Sequence, residues 1–209
     1  MALSHLAQRF FPSVLWRGDP TLPRVALTFD DGPDPVNTPR LLDVLAKFGI
    51  KASFFLQGRN VEHYPEVAAQ IAAEAHTIGN HTYNHTRLIL KSRRLIYQEI
   101  KHAEKAITRA TGSSTRFFRP PYGQMDWRAL KIASEMGYQV VIWSALPWDW
   151  KAKIPKKIVT ATLSCLFNGA IIVLHDRTPE LPAALELIIE IGKQRGFSFV
   201  SLEQMICSQ

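Results

Sequence analysis

The stretch Val25-Ala26-Leu27-Thr28-Phe29-Asp30-Asp31-Gly32-Pro33 decides the reading of the fold. Residues 25–29 carry a single polar group, the Thr28 hydroxyl, and include β-branched and aromatic side chains. That composition predicts a strand buried on both faces, as in a parallel sheet. The strand runs straight into two carboxylates followed by glycine and proline. A turn accounts for Gly32 and Pro33. It does not account for Asp30 and Asp31 side by side at the end of a buried strand, where their repulsion calls for a positive charge. The pair is therefore a candidate for metal or acid–base chemistry.

The same grammar repeats along the chain. Further strands are expected at 52–56, 77–79, 117–118, 139–144, 170–174 and 197–202. Between them lie helical patterns at 41–48, 67–75, 92–110, 158–167 and 185–195, and one from an Asp126 cap to 136. About seven βα units predict an α/β fold with a parallel sheet covered by helices. Five polar clusters fall at or just after strand ends: Asp30-Asp31, His81, Arg119, Trp148-Asp149-Trp150 and His175. A barrel gathers the C-terminal ends of all its strands at one mouth, so a barrel is expected over an open sheet.

At 209 residues, with 46% hydrophobic and 21% charged residues, the chain fits one globular domain. Residues 1–21 read as a loose N-terminal segment and 22–209 as the domain. The net charge of +7 is scattered. Its densest stretches, 91–94 and 151–157, are short and lack interleaved aromatics, so no nucleic-acid partner is expected. Cys165 and Cys207 have no partner at metal-ligand spacing, and Cys165 in its apolar run reads as a small core residue. No apolar run approaches the roughly 20 residues of a membrane span. The N-terminus does not read as a secretory signal. The expected location is the cytoplasm, or outside it with an export segment absent from this chain. Oligomeric state is not legible.

His81 and His85 stand four apart; on a helical turn both imidazoles would face one ion. Two histidines and a carboxylate form a recurrent catalytic metal set. The isolated His5, His63, His76 and His102 are expected at the surface. Arg119-Pro120-Pro121-Tyr122-Gly123 follows a strand with a stiff backbone, suited either to a rigid turn or to aiming Arg119 at a carboxylate. His175 closes an apolar strand, as a core residue or a functional one.

Thr28-Phe29-Asp30-Asp31-Gly32, His81-Thr82-x-x-His85 and Arg119-Pro120-Pro121-Tyr122, in that order, resemble the first three motifs of the NodB-like polysaccharide deacetylases, carbohydrate esterase family four. The resemblance spans about 25–205. It implies a distorted (β/α) barrel with about seven parallel strands, and metal-dependent removal of acetyl groups from N-acetylated sugars, with O-acetylated sugars as an alternative. By resemblance, Asp31, His81 and His85 hold a divalent metal, with zinc the default and cobalt, nickel or manganese as alternatives. Asp30 is then the general base, Arg119 its partner, the Tyr122 amide an oxyanion donor, and His175 the general acid. Val173 stands where the last motif has leucine, beside the acetyl methyl. The fourth motif, Asp-x-x-Asp-Trp, keeps Asp149 and Trp150 as substrate-side residues but has Leu146 in the first position. By resemblance that first carboxylate partners the catalytic histidine, which leaves Asp149 or Asp176 as substitutes here. Trp148 either widens an aromatic sugar platform or packs. The partner implied is an acetylated carbohydrate. Two rival readings are a cyclic amide or imide hydrolase on the same fold and a non-catalytic carbohydrate-binding relic.

Overall fold

The computed structural model describes residues 11–207. Seven strands are present among the described residues: β1 (Arg24–Gly32), β2 (Ser53–Leu56), β3 (Thr77–Asn80), β4 (Phe117–Phe118), β5 (Gln139–Val140), β6 (Ile171–His175) and β7 (Ser198–Val200). The helices among the described residues are α1 (Asn37–Lys47), α2 (Gly58–His63), α3 (Pro65–Ala73), α4 (Arg93–Thr111), α5 (Trp127–Glu135), α6 (Pro155–Ser164), α7 (Leu181–Gln194) and α8 (Leu202–Ile206). All pairings are parallel, in the order β5-β4-β3-β2-β1-β6. β7 pairs with Arg24–Ala26 of β1, and β2 pairs with β1 from Thr28 onward. The sheet curls into the expected distorted (β/α) barrel.

Side chains alternate across each strand, and this alternation builds two compartments. Val25, Leu27 and Phe29 of β1 pack outward with Leu41, Leu45, Leu185 and Ile189 of α1 and α7. Ala26 points the other way, into a small inner cluster with Phe55, Phe117, Val141 and Ile171. Thr28 and Asp30 continue that inner row, so it grows more polar toward the strand's C-terminal end. A third cluster lies under α4 and α5, around Ile96, Ile100, Phe118 and Ile132.

The expected strand 139–144 stops at Val140, because the chain then leaves β4 and crosses to β6. Ser144 and Ala145 amides donate to the Ile171 carbonyl at 3.0 and 3.1 Å, and the Val173 amide donates to Ala145 O at 3.1 Å. These bonds join the two ends of the curled sheet. The last strand ends at Val200, earlier than expected, because Ser201 caps α8: its hydroxyl accepts from the Gln204 amide, and the Gln204 side chain accepts from the Ser201 amide. The Asp126 cap is present, accepting from the Arg128 and Ala129 amides at 3.0 and 3.2 Å.

His76 corrects the expectation of a surface histidine. It is buried, its Nδ1 accepts from the Ala52 amide at 3.0 Å, and burial pushes its pKa down to about 4. His63 and His102 are exposed, and His5 lies outside the described residues. Residues 1–10 of the expected loose segment also lie outside them. Within residues 11–21, Val14 is buried, the Leu15 amide donates to Val140 O at 2.8 Å and the Gly18 amide to Gly169 O at 2.8 Å. No described helix is long and apolar enough to cross a membrane.

Candidate active site

Asp30, Arg119, Val173 and His175 reach one mouth because each occupies an inward position in, or just past, the C-terminal part of its strand. Asp30 is opposite His175 in the β1–β6 register. Arg119 follows β4 and is fully buried. Its Nη1 donates to Asp30 Oδ1 at 2.6 Å and to Thr28 Oγ1 at 2.7 Å, while its guanidinium lies 4.0 Å over the Phe55 ring. A buried carboxylate needs such a partner, since losing either member leaves an uncompensated charge.

Asp31 turns the other way, toward the histidines. Its Oδ1 lies 3.7 Å from His81 Nε2 and 3.3 Å from His85 Nε2. Burial raises the Asp31 pKa, but the fields of His81, His85 and His175 and the bond from Gln57 outweigh it, so the carboxyl is held below its usual range. Gln57 Nε2 donates to Asp31 Oδ1 at 2.7 Å, and Asn60 donates to the Asp31 carbonyl at 2.8 Å. His81 Nδ1 lies 2.7 Å from the Arg119 carbonyl. That carbonyl can only accept, so Nδ1 carries the proton and Nε2 keeps its lone pair for a ligand.

The two histidines do not share a helical turn, as their spacing had suggested. They sit on an irregular loop, with Thr82 and His85 at φ of 66° and 58°. Hydrogen bonds fix the loop from both ends. The Thr82 amide donates to Asn80 Oδ1 at 2.9 Å, and the buried Glu99 carboxylate accepts from the amide and side chain of Asn84, each at 2.9 Å. One candidate atom from each of Asp31, His81 and His85 lies within 4.8 Å of the others. Ligand atoms about 3.3 Å apart suit a tetrahedral ion with bonds near 2.0–2.1 Å. The donor set and its spacing thus fit a divalent cation.

Across the mouth, His175 Nδ1 lies 2.9 Å from Asp149 Oδ1. Asp149 is fully buried, and its Oδ2 also accepts from the His175 amide at 2.8 Å and the Thr178 hydroxyl at 3.1 Å. Burial lowers the His175 pKa, but the bond and charge of Asp149 and the fields of Asp30 and Asp31 win, raising it to about 8. The carboxylate expected from position 146 is therefore Asp149, and Leu146 lines the cavity instead. Asp176, the other substitute, faces away from this pair. Its Oδ2 accepts from Thr38 Oγ1 at 2.7 Å, and burial raises its pKa to about 8.

Asp30, Asp31, His81, His85 and His175 line a cavity of about 520 Å³, together with Tyr122, Trp143, Trp148, Trp150, Val173 and Arg177. Trp150 meets the His175 ring edge-on at 4.5 Å, and it also neighbours the Trp148 ring, tilted at 55° with centroids 5.0 Å apart. Asp31, His85, Tyr122 and Trp148 all hold positive φ, between 58° and 75°. Such backbone costs on the order of 1–3 kcal/mol per residue and persists where its surroundings over-determine it. Gln57, Asn60, Thr178 and Arg177 escaped the sequence reading. Gln57 stands just after β2, so the strand-end rule that flagged the others would have found it.

A profile of the polysaccharide deacetylase family matches residues 17–141. A peptidoglycan N-acetylglucosamine deacetylase of Bacillus cereus is 40% identical over 87% of this chain and 67% of its own length. A chitooligosaccharide deacetylase of Sinorhizobium fredii is 36% identical over 87% of this chain and 91% of its own. The structure of the peptidoglycan N-acetylglucosamine deacetylase Bc1960, in complex with 4-naphthalen-1-yl-N-oxidanyl-benzamide, superposes with a TM-score of 0.89 at 36% identity, covering 92% of each chain. BA3943 of Bacillus anthracis, a CE4 family pseudoenzyme, superposes with a TM-score of 0.87 at 28% identity, covering 91% of this chain and 67% of its own. By the profile match and the 40% identical relative, this chain belongs to the polysaccharide deacetylase family.

Proposed function

We propose that this chain is a metal-dependent deacetylase acting on N-acetylglucosamine units of a glycan. The observation that carries the reading is one cavity flanked by the Asp31-His81-His85 set beside the Asp30–Arg119 pair, and by the His175–Asp149 pair opposite. A fold shared with a pseudoenzyme does not imply turnover, so the reading rests on these side chains and not on family alone.

Asp31, His81 and His85 would hold the cation, with zinc the default for two nitrogens and one carboxylate, and cobalt, nickel or manganese accepting the same donors. When bound, such a cation makes water more acidic and polarises a carbonyl oxygen. Asp30 takes the proton of the attacking water. Arg119 holds Asp30 in place, because its guanidinium is itself held by Thr28 and Phe55. The Tyr122 amide, on its strained turn, donates to the oxygen on which negative charge develops. An amine leaves only when protonated, and His175, with a pKa raised to about 8, carries a proton at neutral pH and delivers it to the nitrogen. Val173 and Leu146 give the acetyl methyl an apolar wall, and Trp148 and Trp150 offer ring faces to the sugar.

The test is acetate release from peptidoglycan, chitin oligomers, acetylxylan and small N-acetyl sugars, with and without chelator. Chelator-sensitive release from the N-acetylated glycans supports the reading. Release only from acetylxylan would move the activity to esters. Turnover of a cyclic amide with none of the glycans would favour the rival hydrolase, and no turnover at all would favour a binding relic.

A further inference from the structure

Arg87, Lys151 and Arg177 are exposed, and none forms an ion pair within the described residues. One of them lines the cavity, and the other two lie against rings that line it. Arg177 lines it directly. The Arg87 guanidinium lies 4.9 Å from the centre of the Tyr122 ring, and Lys151 Nζ lies 4.2 Å from that of Trp148; both rings line the cavity. The carboxylates in the cavity lining, Asp30 and Asp31, are turned inward to Arg119 and to the histidines. The mouth thus combines aromatic faces with three cations that lack protein counter-charge. A neutral sugar uses the ring faces and leaves the cations without counter-charge. A sugar carrying a carboxylate uses both.

We propose that Arg87, Lys151 and Arg177 make this mouth selective for a glycan that bears a carboxylate on a sugar neighbouring the one deacetylated. The inference rests on the glycan deacetylase reading above and narrows its substrate class to an acidic glycan. Each contact is solvent-exposed, so each contributes modestly and is weakened by salt. Selectivity arises from three of them acting on one substrate, and it is electrostatic in character.

The test uses a matched pair of substrates: a tetrasaccharide alternating N-acetylglucosamine with N-acetylmuramic acid, and the same tetrasaccharide with its lactyl carboxylates converted to methylamides. Both are assayed with the metal-loaded protein for acetate release and, separately, for binding by calorimetry. The expected result is a preference of roughly 5- to 10-fold in kcat/KM or affinity for the acidic form at low ionic strength, shrinking toward unity near 0.5 M salt. Arg177→Gln and Lys151→Gln should each lower that ratio, and Arg177→Lys should keep more of it than Arg177→Gln. Equal handling of the two substrates, or a preference indifferent to salt and to these substitutions, would overturn the inference. Binding that favours the acidic form without any acetate release would uphold the charge selectivity while refuting the deacetylase reading.

Discussion

Two adjacent aspartates that look alike in the sequence have unlike neighbours. Asp30 is buried against the Arg119 guanidinium, and Asp31 faces His81 and His85. Their roles should separate on mutation. Asp30→Asn should retain the cation, measured as metal per chain after dialysis, while turnover falls about 10²-fold or more. Loss of metal together with activity would assign Asp30 to the ligand set. At His175, Asp149 supplies the bond and charge that raise the pKa to about 8 against the effect of burial. In Asp149→Asn burial is left with less opposition. The alkaline limb of the pH–rate profile should then move toward acid by on the order of one unit, with a drop in kcat. An unmoved limb would show that it belongs to another group. These residues were legible in the sequence because they stand at the ends of apolar strands. The Asp149–His175 contact was legible only as one of two alternatives, Asp149 or Asp176, since a loop after β5 brings position 149 to the end of β6 and sequence spacing does not encode that path.

Elements hold the site by backbone as much as by side chains. The histidine pair was visible as a spacing, yet the spacing suggested a helical turn that the chain does not form. Asn80 below and Glu99 on α4 above impose the loop, and Glu99 lies too far along the chain for a local pattern to reveal it. At the end of β1, Gly32 leaves room for Asp176: a Cβ at Gly32 would stand 2.0 Å from Asp176 Oδ2. Asp176 in turn accepts from Thr38 on α1. Gly32→Ala should therefore destabilise the protein by about 2–3 kcal/mol, read as a lower urea midpoint, and should disturb the adjacent Asp31. A substitution without effect on stability would mean that Asp176 moves aside at little cost.

At the scale of the whole molecule, the strand alternation predicts a parallel sheet, and the polar clusters at the strand ends choose a barrel over an open sheet. The manner of closure was not legible, because it rests on the irregular hydrogen bonds of Ser144 and Ala145 and not on a seventh regular neighbour. Closure brings His175 to the mouth, while Asp176 next to it is buried against Thr38; both have pKa values raised to about 8, from 6.5 and 3.8. For either group the native state binds the proton more tightly than the unfolded chain does. The stabilisation from His175 is complete below pH 6.5 and is lost as pH rises through about 8; the rise corresponds to about 2 kcal/mol. Asp176 stays protonated in the fold from 3.8 to about 8, where the unfolded carboxyl is ionised, so its contribution also declines across that range. Metal-free protein should lose stability between pH 6.5 and 8.5, followed by urea unfolding. Asp176→Asn, which cannot ionise, should flatten that decline by ~1 kcal/mol or more.

The central claim joins the cavity, the cation set and the chemistry, and metal-replacement kinetics on an N-acetylglucosamine glycan test it most directly. Acetate release is measured on the purified protein, after exhaustive chelation, and after adding back about one equivalent of zinc, with His81→Ala carried in parallel. The account predicts release that disappears on chelation, returns with zinc, and does not return in the variant. Undiminished release from protein shown to be free of metal, or full recovery by zinc in His81→Ala, would contradict it.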